Sequence, residues 1–567
     1  MKILILLGSL LSLNLFGQNL LLADYGKSSY RIVVSKAATE SESKAASDFQ
    51  KLFRQVSGVQ LPITSDVQTA ISTEIVIGNT SRNHIDLSSL SQDGILLRSV
   101  GSKLFINGGN RKGVHYAIAE FFERYLGTRF YALDEMKILS KSKVLIPQVN
   151  YTYSPPFTYR SQYNIESLDK TYADFHKLNY FFENRLYFAH SFGWLIPADK
   201  YFKTHPEYFA LINGRRDPSQ MCFSSNGLLK ELISVLKIEM QLSPANKVWS
   251  VSTLDSPNYC HCSFCEVKYK SGSGFTESLI PFVNKVAEAF PDKTISTLAY
   301  NQSIIPALKS KPLPNVEIMF CYTDIDRKVP IDDPANAEAK MFRNALAQWK
   351  KQTNNIFVWD YVVNYFHSLS PFPNLYTLKP NLQYFRNQGI QKVFEQGIGP
   401  QKGEFSELKS YLLSKLLWNP DLDDRKIIEE FVNVYYGPGA PDVLQYLNEI
   451  NQAPLVGGFL GVYTSPESFI KGFLSASRLE KYQSILQKAL SKVPPKSLYY
   501  KRIKKELLTV QYACLMITRG INGKMLDNKR RTDLENFIID MQKADVKFLR
   551  NGEQTPAEFQ SYYLKNQ

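Results

Sequence analysis

Three apolar, β-branched runs in this chain each deliver a carboxylate. VWSVSTLDSPNY stops at Asp255 before a Ser-Pro turn, NIFVWDYVV carries Asp360 between Trp359 and Tyr361, and KVFEQGIG carries Glu395. Two more runs, TISTLAY and VEIMFCYTD, end at Tyr300 and at Tyr322 with Asp324. A buried strand that hands a polar side chain to an irregular loop is what the catalytic rim of a β/α barrel uses. Paired carboxylates among aromatic rings suit glycosidic cleavage: one protonates the leaving oxygen and the other stabilises or traps the sugar cation. Rings beside an acid give the sugar a stacking floor and raise the acid's pKa by desolvation. On this reading Glu395 is the general acid, because it ends a short strand and is followed by Gly397 and Gly403. Asp360 is the second carboxylate, and Asp255 can exchange roles with either. Trp359, Tyr361, Tyr300 and Tyr322 line the sugar site, and His190, in FAHSFGW, offers a ring nitrogen to a hydroxyl. His205, in HPEYF, reads as a structural turn.

The six cysteines form a second constellation. Cys260, Cys262 and Cys265 follow Asp255 with spacing C-x-C-x2-C, and Cys222 lies upstream. With Cys222 they could make a four-thiolate zinc site, and in an exported chain disulfides compete equally. Either would staple the loop after Asp255. Cys321 and Cys514 read as core residues. The chemistry expected at the carboxylates needs no cofactor.

The elements that must position these residues read as α/β. From about 151 to 440, apolar strands alternate with helical segments, the pattern of a (β/α)8 TIM-like barrel. Candidate strands are 157–163, 186–190, 209–212 or 221–224, 248–254, 294–300, 316–322, 355–363 and 392–396. Residues 19–150 read as an α+β accessory domain: a strand at RIVVS, a helix over 42–56 stopped by Ser57-Gly58, a strand at EIVIGN, and a hairpin-like pair in DGILLRSVGSKLFINGG. Residues 441–567 carry helical patterns alone and read as a helical C-terminal domain.

Composition narrows the class. A chain of 567 residues with 44% hydrophobic and 21% charged content is that of a globular protein with two or three domains. Met1-Lys2, an apolar stretch from Ile3 to Phe16 and Gly17-Gln18 read as a secretory signal over residues 1–18, predicting an exported, periplasmic or extracellular protein. No later stretch is apolar for long enough to insert in a membrane. The net charge of +14 is scattered, and no basic-aromatic interleaving points to nucleic acid. There is no HExxH and no GxSxG, which leaves zinc protease and α/β-hydrolase readings without support. The expected partner is a glycan or glycoprotein; nothing specifies an oligomeric state.

GGNRKGVHYAIAEFFERYLGTRFY (108–131) resembles the accessory domain that precedes the barrel in β-hexosaminidases and α-glucuronidases. HPEYFALINGRR with QMCFSS, STLDSPNYCHCSFC, ISTLAY, and VWDYVVNYF with FEQGIGPQKGEFSELKSYLLSKLLWNP together resemble the bacterial family of domain of unknown function 4838, partly placed in glycoside hydrolase family 163. The resemblance implies an exported, retaining, endo-acting β-N-acetylglucosaminidase of the kind gut Bacteroidetes use on host complex N-glycans. It leaves open whether a carboxylate or the substrate's acetamido group is the nucleophile. Two alternatives stand beside it. An α-glucuronidase-like exo-enzyme would need a cation such as Arg160, Arg185 or Arg215 to grip a uronate. A non-catalytic carbohydrate-binding protein on a barrel scaffold would bind without turnover.

Overall fold

The structure, a computed structural model, describes residues 19–564 apart from 83–84, 111, 182, 457, 523–527 and 550–553. The segment read as a secretory signal, 1–18, lies outside the described residues. The chain divides into two compact units, one formed by 1–130 with 136–155 and the other by 131–135 with 156–567.

The second unit is built on a seven-stranded sheet. Its strands are β1 (Tyr159–Asn164), β2 (Arg185–Leu186), β3 (Val248–Ser250), β4 (Thr294–Ala299), β5 (Val316–Cys321), β6 (Ile356–Tyr361) and β7 (Lys392–Gly399). Every pairing is parallel and the order is β1-β7-β6-β5-β4-β3-β2. First strand beside last is the order of a barrel. Among the described residues, however, β1 and β2 are not paired, so the sheet is a curled barrel open at one seam.

The eight-strand expectation is corrected in two places. Phe209–Ile212 and Arg215–Met221 leave the sheet as an antiparallel hairpin of their own. The cause is Asn213-Gly214, at φ of +47° and +77°, the left-handed pair that a two-residue hairpin turn requires. The expected strand 186–190 ends at Leu186, because Tyr187 and His190 sit at positive φ. The alternation also lapses once: between β4 and β5 stands a single short 3-10 turn, Asn301–Ser303, and no α-helix.

Two-residue alternation sorts each strand between two surroundings. Ile295, Ile318, Val358 and Val393 join the apolar core shared with the surrounding helices, Ala339–Lys350, Leu378–Asn387 and Ser406–Trp418 among them. Tyr159, Leu298, Met319, Phe357 and Phe394 meet in the barrel interior with Phe188. At the N-terminal end of the strands, Glu317 fills the interior. It takes two hydrogen bonds from Arg185, at 2.7 and 2.8 Å, one from Lys392 at 2.7 Å and one from Ser296 at 2.9 Å. Burial opposes the charge of Glu317, but Arg185 and Lys392 outweigh it and hold the carboxyl far below its ordinary range. The Arg185 guanidinium lies over the rings of Phe357 and Tyr159.

The C-terminal helices, including Asp424–Tyr435, Ala440–Gln452, Ala476–Ser491 and Leu498–Asn522, belong to the same compact unit as the sheet. They leave Ser406–Trp418 buried on every side. Among the described residues, no helix is long and apolar enough to cross a membrane.

The first unit holds a six-stranded sheet in the order Asn150–Tyr153, Ile95–Val100, Lys103–Gly108, Glu74–Ile77, Arg31–Val34, Ile63–Ser65. The helix Glu40–Ser57 begins at a capping box between Thr39 and Glu42 and ends at Gly58 in the left-handed conformation. Gly108 and Gly113 are required by proximity. A Cβ on Gly108 would stand 2.2 Å from the backbone of Gly113, where the next helix starts.

Arg185→Met should cost about 3–5 kcal/mol, the usual penalty for stranding a buried charge. The half-exposed pair Lys481–Glu449 serves as control, and Lys481→Ala should change stability by less than about 1 kcal/mol. Urea unfolding of both variants checks this; equal losses would refute the barrel-floor role.

Candidate active site

The same alternation decides which polar residues reach the C-terminal rim of the barrel. On β6, Trp359 packs with the interior cluster and Tyr361 with a second cluster above it, while Val358 and Val362 face the helices. Asp360, between Trp359 and Tyr361, therefore shares the helix-facing side. On β7, Phe394 is interior and Val393 faces the helices, which puts Glu395 on the helix side as well. Asp360 and Glu395 stand in register on adjacent strands.

Above the interior cluster lies an aromatic basin. Trp359 stacks beside Tyr361 with ring centres 5.9 Å apart, and Tyr365 meets Tyr361 edge-on at 5.8 Å. Tyr463 meets Tyr365 at 6.2 Å and comes from a distant segment, which the Tyr365 amide anchors by donating to the Val462 carbonyl at 2.7 Å. Tyr300, directly after β4, packs with both clusters, and Cys321 at the end of β5 lies among these rings. The buried indole N–H of Trp359 has no hydrogen-bond partner among the described residues. His190 stands 6.3 Å from Tyr300, ring to ring, and its Nδ1 donates to the Thr253 carbonyl at 2.9 Å.

Two exposed carboxylates bear on this basin, Asp255 after β3 and Asp324 after β5. Burial and then Asp255 push the Tyr300 hydroxyl up to about 12, with Cys321 and Asp324 adding to it. Burial, followed by Tyr300, Cys321 and Asp255, raises Tyr463, and Tyr361 lies well above its ordinary value for want of solvent. The basin is thus ringed by acids and neutral phenols.

Of the residues expected at the rim, Asp255, Tyr300, Trp359, Tyr361 and His190 come together there. Three do not. Tyr322 turns outward against Phe342, ring centres 6.4 Å apart. Asp360 is buried and accepts from the Arg327 guanidinium and from the Tyr361 amide at 2.9 Å. Glu395 is buried beside that pair, with Oε2 unpartnered. Burial, then the neighbouring Asp360 charge, pushes Glu395 well above the carboxylate range, against the opposing pull of Arg327. Asp324, Tyr365 and Tyr463 complete the basin. Asp324 was visible in the sequence as the first acid after a strand, whereas Tyr463 lies far away along the chain and carries no local signal.

The arginines considered for a uronate are placed elsewhere. Arg185 is in the barrel floor, Arg215 is exposed at the hairpin turn, and Arg160 is fully buried, its Nε donating to the Lys177 carbonyl at 2.9 Å. Cys222, Cys260, Cys262 and Cys265 come together, all buried and none in a disulfide. Cys321 is core as expected, though on the inner face. A separate cavity of about 310 Å³ is lined by Glu166, Glu407, Arg502 and Lys505 among others. Lys505 there is bonded to Glu407 and Glu506, and Arg502 to Asp134 and Glu135.

Barrel order, exposed carboxylates near the C-terminal rim and an aromatic basin define a β/α barrel with a cleft at the ends of its strands. Residues 130–448 match the family described as domain of unknown function DUF4838, and the chain belongs to that family. No curated protein matches the sequence. Among solved structures, the chain is similar to "a novel family GH115 4-O-Methyl-alpha-glucuronidase, BtGH115A, with specificity for decorated arabinogalactans", at 11% identity and TM-score 0.57, covering 93% of this chain and 77% of that one. It also overlays a "GH138 enzyme targeting pectin rhamnogalacturonan II" (9% identity, TM-score 0.45, 94% and 78% covered) and "CpGH84B" (12% identity, TM-score 0.42, 94% and 96% covered). The GH115 likeness shows a shared fold.

Glu395 binds its proton more tightly folded than unfolded, so its burial opposes folding increasingly as pH rises above the ordinary glutamate value. Glu395→Gln removes that penalty and should be more stable relative to wild type at pH 8 than at pH 4. Asp360→Asn leaves Arg327 unpaired and should lose about 3–5 kcal/mol at pH 7. Thermal unfolding across pH checks both; a Glu395→Gln variant whose difference from wild type is flat with pH would contradict the buried-acid assignment.

Proposed function

We propose that this protein is a glycoside hydrolase cleaving β-linked N-acetylglucosamine in complex N-glycans, endo-acting and retaining. The observation that carries the class is the convergence of Asp255 and Asp324 on one aromatic basin at the C-terminal ends of the barrel strands. Asp255 bears electrostatically on Tyr300, Cys321 and Tyr463 of the basin. It protonates the leaving oxygen, while Asp324 supports the sugar cation or orients the substrate's acetamido group. Trp359, half-buried beside Tyr361, offers a stacking face. His190, with Nδ1–H committed to Thr253, can present Nε2 to a hydroxyl. The N-acetylglucosamine preference rests on the sequence resemblance to glycoside hydrolase family 163. The apolar N-terminal segment supports export, which would bring such an enzyme to glycoproteins.

The GH115 fold supports a second reading, an α-glucuronidase. The acid-ringed basin favours a neutral sugar over a uronate, since the arginines that could balance a carboxylate lie elsewhere. A binding protein without turnover would keep the aromatic rings and need neither acid.

The test is release of glycan from a complex N-glycoprotein, run beside aryl β-N-acetylglucosaminide and aryl α-glucuronide substrates. Asp255→Asn should lower kcat/KM on the order of a hundredfold or more, and Asp324→Asn should also lower it. Glu395→Gln, away from the basin, should stay within a few-fold of wild type. Loss with Glu395→Gln and retention with Asp255→Asn would move the acid back to β7. Glucuronide turnover alone would replace the substrate class, and binding without release from any substrate would leave a lectin-like protein.

A further inference from the structure

The four buried cysteines have a geometry of their own. Cys222 directly follows the hairpin strand Arg215–Met221, Cys260 lies in the loop after β3, Cys262 caps the helix Ser263–Lys270, and Cys265 is in its first turn. Their sulfur atoms all lie within 4.8 Å of one another. Cys222 Sγ is 3.7 Å from Cys262 Sγ and 4.0 Å from Cys265 Sγ. Four thiolates around zinc at about 2.3 Å form a tetrahedron with edges of about 3.8 Å, so these separations are those of sulfurs sharing one ion. Two disulfides would instead bring the sulfurs to bonding distance in pairs, whereas all four cysteines are free.

The surroundings suit thiolates. The Leu211 amide donates to Cys260 Sγ at 3.3 Å, Ser224 Oγ lies 3.2 Å from Cys265 Sγ, and Ser278 Oγ donates to the same sulfur at 3.8 Å. The N-terminal end of the helix Ser263–Lys270 points its positive dipole at the cluster. Tyr259, Tyr269 and Phe275 pack against one another, with ring centres 5.5 to 6.2 Å apart.

We propose that Cys222, Cys260, Cys262 and Cys265 bind one structural Zn2+, which displaces four thiol protons to solvent and leaves a closed tetrathiolate centre with a net charge of −2. All four positions of the ion are taken by protein, so it has no open site for chemistry. Its work is mechanical. It ties the hairpin, the loop after β3 and the following helix together, and Asp255 stands on that loop five residues before Cys260. The metal assignment stands whether or not the glycosidase reading holds; only the meaning of positioning Asp255 rests on that reading.

Metal analysis of the full-length native protein should find one zinc per chain. Alkylation under denaturing conditions with chelator and without reductant should label all six cysteines. Cobalt in place of zinc should give the intense visible bands of a tetrahedral thiolate site. Cys222→Ser and Cys260→Ser should lose the metal, and Cys514→Ser, from a helix elsewhere, should keep it. Should the first two fail to fold, the wild-type metal content and thiol count still decide. Absence of zinc, or blocked thiols that appear only after reduction, overturns the site in favour of an empty cluster or disulfides. Chelation should also increase protease cleavage within 256–262; unchanged cleavage after confirmed zinc removal would overturn the tethering role.

Discussion

The barrel of this protein depends on one buried carboxylate, Glu317. Among the described residues its sheet is not closed by hydrogen bonds: β1 pairs there with β7 alone, and β2 with β3 alone. What joins the open edge to the far side is electrostatic. Arg185 on β2 and Lys392 on β7 both reach through the interior to Glu317 on β5. A charge with no access to water needs such partners to remain ionised, and a bidentate guanidinium is the pairing that best offsets the cost. Arg185 also spreads over Phe357 and Tyr159, so the polar floor passes directly into the apolar layer above it.

From that floor the interior rises in layers. Phe357, Phe394 and Met319 fill the middle, and Trp359, Tyr361 and Tyr300 stand where the packing opens. The basin is therefore the unfilled top of a core, and its rings are held by the layer beneath. Asp255 and Asp324 reach it from loops, where a carboxylate keeps its solvent. The acids left on the strands themselves, Asp360 and Glu395, are pinned beneath the helices, where one is neutralised by Arg327 and the other by its own proton. This division puts solvent-exposed carboxyl groups at the basin and the paired Asp360 and buried Glu395 in the wall.

The loop after β3 carries Asp255, the acid proposed above, and runs straight into three of the four clustered cysteines. A loop is a poor platform for a carboxylate that must hold position to within a fraction of an ångström. The four cysteine sulfurs gather beside that loop, between the hairpin and a helix N-terminus.

Much of this was legible in the residues. The alternation of apolar runs with helical segments marked a β/α architecture, and Asp255, Tyr300, Trp359, Tyr361 and the cysteine spacing pointed at the strand ends and loops that meet at the basin and the cysteine cluster. Asn213-Gly214 announced a hairpin in the same terms, and the eight-strand expectation passed over it. The sequence by itself determined which strands exist and which residue types stand near their ends, because propensity, apolar runs and turn chemistry are local. It did not determine the side to which Asp360, Glu395 and Tyr322 turn. A strand buried on both faces is apolar on both, so its pleat leaves no polar alternation to read. Only the tertiary structure decides that parity, and only it brings Tyr463 and Cys222 from distant segments to the groups they meet.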